Sequence, residues 1–364
     1  MLDTTGAASD AGIVRFFGTL PLLLLTLPAG ALVDRVDRRP VMVVAELARI
    51  AAVVSVVAAL AFSALAFAQI VVVAVVLGTG LVFFEVAQRP ALRQIVPDAQ
   101  LSEALARYTV RENVGLIGGQ SLGGLLYGLG RALPWIADTI SYIVSVATVV
   151  LVRTSLAPDR DTARRRLDRE IADGFVWLWR QPFVRDTALL VTGSDLVLNA
   201  LYLVLIVAGQ RSGFSSFDIG LMLAASGVAG LAGSAVAATI ARRWRARVIA
   251  IGTLAVPAVL VPLTALPLGP LALGVAWGAM FFLHPAWLAT IGAAQMRQTP
   301  SALQGRLASA LFLLSVGSVP LASLAVGYLL DGVGAVWTVL LLEAVMLTTL
   351  GCAIASPNLR APRA

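Results

Sequence analysis

The chain has 364 residues, 59% of them hydrophobic and 13% charged, with a formal net charge of +7. Soluble domains carry roughly 45–50% apolar and about 25% charged residues, so a water-soluble globule is excluded: no single core could hide this much apolar surface. All 27 basic residues are arginine, and they gather between long apolar runs, which makes the charge a topology and anionic-lipid signal and excludes a nucleic-acid footprint.

A membrane-crossing helix needs about 20 apolar residues. About eleven runs reach that length, at 11–33, 41–63, 67–87, 108–130, 133–152, 187–208, 217–240, 248–266, 270–293, 307–330 and 333–355. They are long and do not alternate, so they are helices and not barrel strands. The expected fold class is an all-α polytopic membrane protein. Of the 27 arginines, 22 lie in the connections 34–40, 88–107, 153–186, 241–247, 297–306 and the tail, which alternate along the chain. The remaining connections hold only Arg131 and Arg211, while Arg15, Arg49 and Arg111 fall inside spans. The arginine-rich side is cytoplasmic by this asymmetry, which puts Ala364 inside and Met1 outside. Met1–Asp10 has no basic residue, so no cleavable signal peptide is expected.

Taken in order, the first two runs are joined by Gly30-Ala31-Leu32-Val33-Asp34-Arg35-Val36-Asp37-Arg38-Arg39. A turn this short cannot fold by itself, so its charges must be pinned against helix ends. In the next span Glu46 and Arg49 stand three apart on one face and pair. Glu85, near the cytoplasmic end of 67–87, is placed to meet Arg38. Span 108–130 opens with Arg111 and Glu112, adjacent residues that point apart and need separate partners. It then carries Gly115-x-x-x-Gly119-Gln120-x-x-Gly123-Gly124, small residues that permit close helix packing.

The stretch 153–186 divides the chain into an N-terminal bundle (1–152) and a C-terminal one (187–364). Pro158-Asp159-Arg160-Asp161 reads as a turn, and 164–180 as a helix with Leu167, Ile171, Phe175 and Leu178 on one stripe flanked by Trp177 and Trp179. This is the pattern of an amphipathic helix lying at the membrane interface; a partner-binding helix is the alternative.

Ionisable groups inside spans are functional candidates by default. Asp195 lies near the middle of 187–208, with Asn199 and Tyr202 on its face, and can exchange a proton near neutrality; the alternative is a carboxyl held by hydrogen bonds for packing. His284, the single histidine, precedes Pro285 and is either a proton carrier or a structural residue beside a kink. Trp277 and Phe281 share its face and, with Phe83 and Tyr202, suit an amphipathic aromatic substrate or simple packing. Glu343 has no assigned role.

One cysteine, Cys352, and one histidine allow no internal disulfide and no cysteine or histidine-rich metal site. No Gly-Lys-Ser/Thr phosphate loop, His-Glu-x-x-His or Gly-x-Ser-x-Gly is present. The expectation is therefore a protein that is not an enzyme, with no cofactor, metal or ATP.

The halves repeat at an offset of about 200 residues, the mark of secondary transporters. Arg93-Gln94-Ile95-Val96-Pro97 reads against Arg297-Gln298-Thr299-Pro300, and Phe83-Phe84 against Phe281-Phe282. Arg242–Arg247 stands where Asp34–Arg39 stands, without the aspartate.

Gly-x-x-x-Asp-Arg-x-x-Arg-Arg at 30–39 resembles the signature loop between helices 2 and 3 of the major facilitator superfamily. Asp37, in place of the usual second glycine, is similar to the macrolide-efflux and enterobactin-exporter-like branch. The resemblance implies a major facilitator fold of two pseudo-repeated bundles and twelve helices, so the eleven runs read as helices 2–12. Helix 1 is then expected to be absent, through a misplaced start or a truncation. It implies a conformational latch from Gly30, Asp34, Arg35, Arg38 and Arg39 with Glu85, engaged in the outward-facing state, with Asp34 toward the helix end near Gly305–Ser309. The glycines of span 108–130 resemble the antiporter motif, with Gln120 for its proline and Pro320 at the comparable place in 307–330. Asp195, Asn199, Tyr202, His284, Phe281 and Trp277 become the proton-coupling or substrate candidates. The implied function is a proton-coupled exporter of small amphipathic molecules such as drugs or siderophores, a monomer working by alternating access in the plasma membrane. An uptake symporter or uniporter, or a truncated non-transporting protein, are the alternatives.

Overall fold

The computed structural model describes residues 6–152, 154, 156 and 167–360. Among them every regular element is helical. The helices are α1 (Ala8–Val33), α2 (Arg38–Ala61), α3 (Phe67–Ile95), α4 (Asp98–Leu129), α5 (Leu133–Leu151), α6 (Leu167–Arg180), α7 (Pro182–Arg211), α8 (Ser216–Arg243) and α9 (Ala246–Leu260). There follow α10 (Pro270–Ala279), α11 (His284–Trp287), α12 (Ala293–Gln298), α13 (Ser301–Gly332) and α14 (Gly334–Ala355). Ten helical segments among the described residues are long and apolar enough to cross a membrane. The eleventh run, 108–130, folds inside the 32-residue α4, about 48 Å long at 1.5 Å per residue. Its glycines and polar side chains keep it from counting by composition.

The chain packs as two compact units. One comprises Met1–Gly12, Asn113–Leu125 and Asp168–Ala364; the other Ile13–Glu112 and Leu126–Leu167. The first is built around buried Leu201, Leu205, Met222, Trp277, Leu330 and Met346. In the second, α2 packs on α3 and α5, with Val33, Met42, Ala87, Ala91 and Leu156 buried together.

Local geometry bears out the repeat. Pro97 and Pro300 each take the position before a 32-residue helix, with φ and ψ of −58° and 146° at Pro97 and −52° and 138° at Pro300. A proline there spends no needed donor, because the first helical N–H groups have no intrahelical partner.

The turn expected at Pro158–Asp161 and the segment Met1–Thr5 lie outside the described residues, as do the first residues of the helix expected over 164–180. The remainder of that helix is α6. Its Leu178 is fully buried with Val184, Ala188, Leu307 and Ala310. A Cβ at Gly174 would stand 2.5 Å from the Arg306 carbonyl oxygen. The apolar stripe expected to face lipid is thus taken up in part by α7 and α13, while Trp179 remains exposed.

Candidate functional site

The loop after α1 is organised by orphan helix ends. Asp37 caps α2, its carboxylate accepting from the Arg39 amide at 3.0 Å, the role that favours Asp at this position. Arg39 donates to the carbonyls of Val152 and Thr154, the latter at 2.8 Å. Arg38, only 7% exposed, reaches the Leu156 carbonyl with both its main-chain N–H (3.3 Å) and its guanidinium (3.5 Å). The residues after α5 offer unpaired carbonyls at the negative end of a helix, where cations are favoured. Asp34 and Arg35 are exposed. Among the described residues, no neighbouring element lies within 4 Å of where a Gly30 Cβ would stand. Glu85 instead accepts from the Tyr108 hydroxyl at 2.8 Å. The expected meeting of Arg38 with Glu85 is therefore not made in this conformation, because backbone carbonyls take the guanidinium first.

A second constellation lies in the larger unit. Asp195 is about 20 Å into α7 at 1.5 Å per residue. The Ser315 hydroxyl of α13 donates to its Oδ2. His284 of α11 is within electrostatic reach of the same carboxylate. The two residues expected as rival proton carriers thus lie within electrostatic reach of each other, and Ser315 meets Asp195 from 120 positions away. Sequence reasoning missed Ser315; its faint signal is a serine pair, Ser315 and Ser318, in an apolar run. The Asn199 side-chain amide donates to the Asp195 main-chain carbonyl at 2.9 Å.

His284 sits on a broken helix. α10 ends at Ala279, a turn covers Met280–Leu283, and a π-helical stretch, Leu288–Gly292, follows α11. Pro285 cannot donate to a helical ladder, and Gly233 of α8 leaves room for the Phe282 carbonyl. Interrupted helices and π-turns recur at transporter sites. Beside the break runs an aromatic row, Tyr202–Trp277 at 6.3 Å and Trp277–Phe281 at 4.8 Å between ring centroids. Trp277 is buried, its indole N–H donating to the Leu223 carbonyl at 3.2 Å; it is held as packing. Tyr202 and Phe281 are half-buried.

Of the glycine motif in α4, one member meets a neighbour. Gly124 crosses α8 at Ser216 and Gly220, while among the described residues no neighbour stands within 4 Å of a Cβ at Gly115, Gly119 or Gly123. The Gln120 Oε1 is buried without a hydrogen-bond partner among the described residues, and the Gln120 main-chain carbonyl faces Gly220. A second crossing repeats this pattern between α13 and the first turn of α1. A Cβ on Gly12 would stand 2.6 Å from the Ser323 carbonyl oxygen, and one on Gly327 2.9 Å from that of Ala8. The structural counterpart of Gln120 is therefore Ser323, and Pro320 lies one turn earlier than the expected match. The two crossings differ in their caps. α8 carries its own capping box from Ser215 and Asp218. α1 is preceded by Gly6 and Ala7, neither of which has a side-chain acceptor. Asp331 of α13 supplies it instead, accepting from Ala8 N–H at 3.0 Å and Ser9 N–H at 2.7 Å while Arg211 pairs with it at 3.1 Å.

Among the described residues no group of three or more His, Cys, Asp or Glu could hold a metal ion. Comparison with known proteins gives one pattern. The Major Facilitator Superfamily matches residues 1–319. The multidrug efflux pump Tap of Mycolicibacterium fortuitum is 31% identical over 384 residues, covering 99% of this chain and 90% of its own length. Macrolide efflux protein A of Streptococcus pyogenes is 28% identical over 161 residues, covering 44% of this chain and 40% of its own. Among solved structures, the nucleoside transporter NupG superposes with a TM-score of 0.78 at 9% identity, covering 98% of this chain and 91% of its own. A POT family transporter in complex with a thioalcohol-conjugated peptide gives 0.74 at 13% identity, with 97% and 88% covered.

Proposed function

The chain belongs to the Major Facilitator Superfamily, and from that premise we propose that this multi-pass membrane transporter, which is not an enzyme, is a proton-coupled exporter of small amphipathic molecules. The export of drug-like compounds is carried over from relatives named as multidrug and macrolide efflux proteins. Proton coupling is supported by one observation, the hydrogen bond between Ser315 and Asp195, with His284 of the broken helix in electrostatic reach of the same carboxylate. The Ser315 hydroxyl donates to the ionised carboxylate and stabilises it; protonation of Asp195 gives up that bond's charge-assisted strength. A protonated carboxyl beside the half-buried Tyr202 and Phe281 favours one occupant, an ionised one another, so proton and substrate exchange places as the two bundles, 1–152 and 187–364, alternate in access. One proton moving down a one-unit pH gradient supplies about 1.4 kcal/mol, enough for a tenfold uphill ratio of a neutral substrate.

The latch of Asp34, Arg35, Arg38 and Arg39 completes the proposal: Asp34, exposed here, is the member with a free carboxylate to engage in the other access state. The arginine asymmetry supports a plasma-membrane protein with its C-terminus in the cytoplasm.

The test is Asp195→Asn in reconstituted vesicles. Uphill export driven by a pH gradient should be lost, and downhill substrate exchange largely kept, since exchange moves no net proton. Export that survives the replacement excludes Asp195 as the coupling group.

A further inference from the structure

The strap after α14 is held by a carboxylate that the mechanism above does not use. Pro357 has no N–H to carry a helix onward, and Asn358–Arg360 make a 3₁₀ turn. Asp186, near the start of α7, grips both ends of this bend with one oxygen. Its Oδ2 accepts from the Ser356 hydroxyl at 2.9 Å and from the Asn358 side-chain amide at 2.8 Å. Its Oδ1 accepts from the Arg185 guanidinium at 3.1 Å. Arg247, the second residue of α9, donates to the Ile354 carbonyl at 2.7 Å.

The smaller unit closes in the same way. Arg39, the second residue of α2, donates to the carbonyls of Val152 and Thr154 beyond α5, and Leu156 is buried with Val33, Met42, Ala87 and Ala91. Leu359 stands 203 positions after Leu156, as Pro300 stands after Pro97. Each unit thus has a strap that an arginine pins and a leucine seals. The hold differs: the Arg38 main-chain N–H reaches the Leu156 carbonyl, whereas the larger unit uses the Asp186 side chain. The Arg49–Glu46 pair, at 3.2 Å, joins neighbours on one helix; the Asp186 bonds reach across 170 and 172 positions.

Leu359 is 3% exposed and belongs to one buried cluster with Leu190, Ala250, Leu254, Trp287 and Ile291. Leu190 lies one turn beyond Asp186. Trp287 closes the short α11 that opens with His284, and Ile291 lies in the π-helical stretch. A close-packed interior leaves no room for a neighbour to turn into an occupied place. We propose that Asp186 is a positioning residue: by holding the strap it keeps Leu359 in the cluster with Trp287 and Ile291, and so fixes the segment that carries His284. When Asp186 lets the strap go, that segment gains room to move, and the irregular π-helical stretch is the part that yields. The inference concerns the larger unit alone and is read from backbone exchange, so it stands whether or not Asp195 couples transport.

The decisive experiment is hydrogen–deuterium exchange of the full chain in lipid nanodiscs, read at the amides of Ser356–Arg360 and of Leu288–Gly292. Asp186→Ala removes both strap bonds. It should speed exchange in both regions by about tenfold or more, as the loss of hydrogen bonds to a charged acceptor gives. Asp186→Asn keeps an oxygen where the two strap bonds converge and should match the unaltered chain. Leu359→Ala leaves the Asp186 bonds in place and should still speed Leu288–Gly292, because it empties the sealed place. A strap that loosens in Asp186→Ala while Leu288–Gly292 is unchanged overturns the proposal, since the tail then acts on nothing beyond itself. Exchange in Asp186→Asn as fast as in Asp186→Ala overturns it too, because the Arg185 pair and not the strap would then matter. Should Asp186→Ala also speed the amides of α8 and so loosen the whole unit, Leu359→Ala decides: unchanged Leu288–Gly292 in that variant overturns the proposal, and faster exchange confined to that stretch upholds it.

Discussion

Arg38 and Asp34 stand four residues apart on one turn, yet only Arg38 is buried. The difference follows from what each can bond. Arg38 and Arg39 find carbonyls beyond α5, whereas a carboxylate there would face the negative end of a helix. Asp34 therefore points away, and its removal should cost this conformation little, within about 0.5 kcal/mol as for exposed positions in general. The proposed latch gives the same residue a large effect on turnover. Asp34→Asn should retain thermal stability and membrane insertion while its transport rate falls several-fold in vesicles. Full transport by the folded variant would remove Asp34 from the latch; lost expression would make the loop a folding element. A lone surface ion pair contributes only about 0–1 kcal/mol, at most about fivefold, so a loss beyond about tenfold would point to a buried partner in the other access state.

At the scale of elements, the first turn of α1 depends on a residue it cannot provide. The N–H groups of Ala8 and Ser9 are satisfied by Asp331 across 323 and 322 positions, and Gly12 lies against Gly327. An N-cap contributes about 1 kcal/mol and the Arg211 ion pair about 0–1 kcal/mol. Asp331→Ala should therefore speed hydrogen exchange of the Ala8–Gly12 amides by about 5- to 30-fold, the factor that 1–2 kcal/mol represents. Arg211→Ala leaves the cap in place and should change exchange less. A charge-reversed pair, Asp331→Arg with Arg211→Asp, restores the ion pair but offers α1 no acceptor, so exchange should stay fast. Recovery in that double variant would show that the ion pair, and not the cap, holds the turn. α8 needs no such help, because Ser215 and Asp218 cap it locally. The two glycine crossings are alike in packing and unlike in how their helix ends are satisfied.

Across the whole molecule, arginine placement decides orientation. Connections rich in arginine alternate with those that hold only Arg131 and Arg211. A reporter fused after Ala364 should read cytoplasmic, and one inserted in the turn Ser212–Ser215 should read external. The opposite pair of readings would invert the topology and with it the direction assigned to the transporter. Arg211 itself is tied to Asp331 at 3.1 Å, so its single charge on the poor side is held by a carboxylate.

Composition and run length alone determined that this is a helical membrane protein, because an apolar stretch of about 20 residues has few other fates. The same local logic located the Asp34–Arg39 turn, the Glu46–Arg49 pair at helical spacing, and the repeat marked by Pro97 and Pro300, since each is written within one short window. Partners were another matter. Nothing near Arg38 announces the Leu156 carbonyl, nothing near Asp195 announces Ser315, and the motif glycines look equivalent until only Gly124 is found against Gly220. Sequence spacing fixes which residues share a helix face. Which face meets which depends on how each helix is rotated and crossed against others more than 100 positions away, and that is settled by packing of the whole chain.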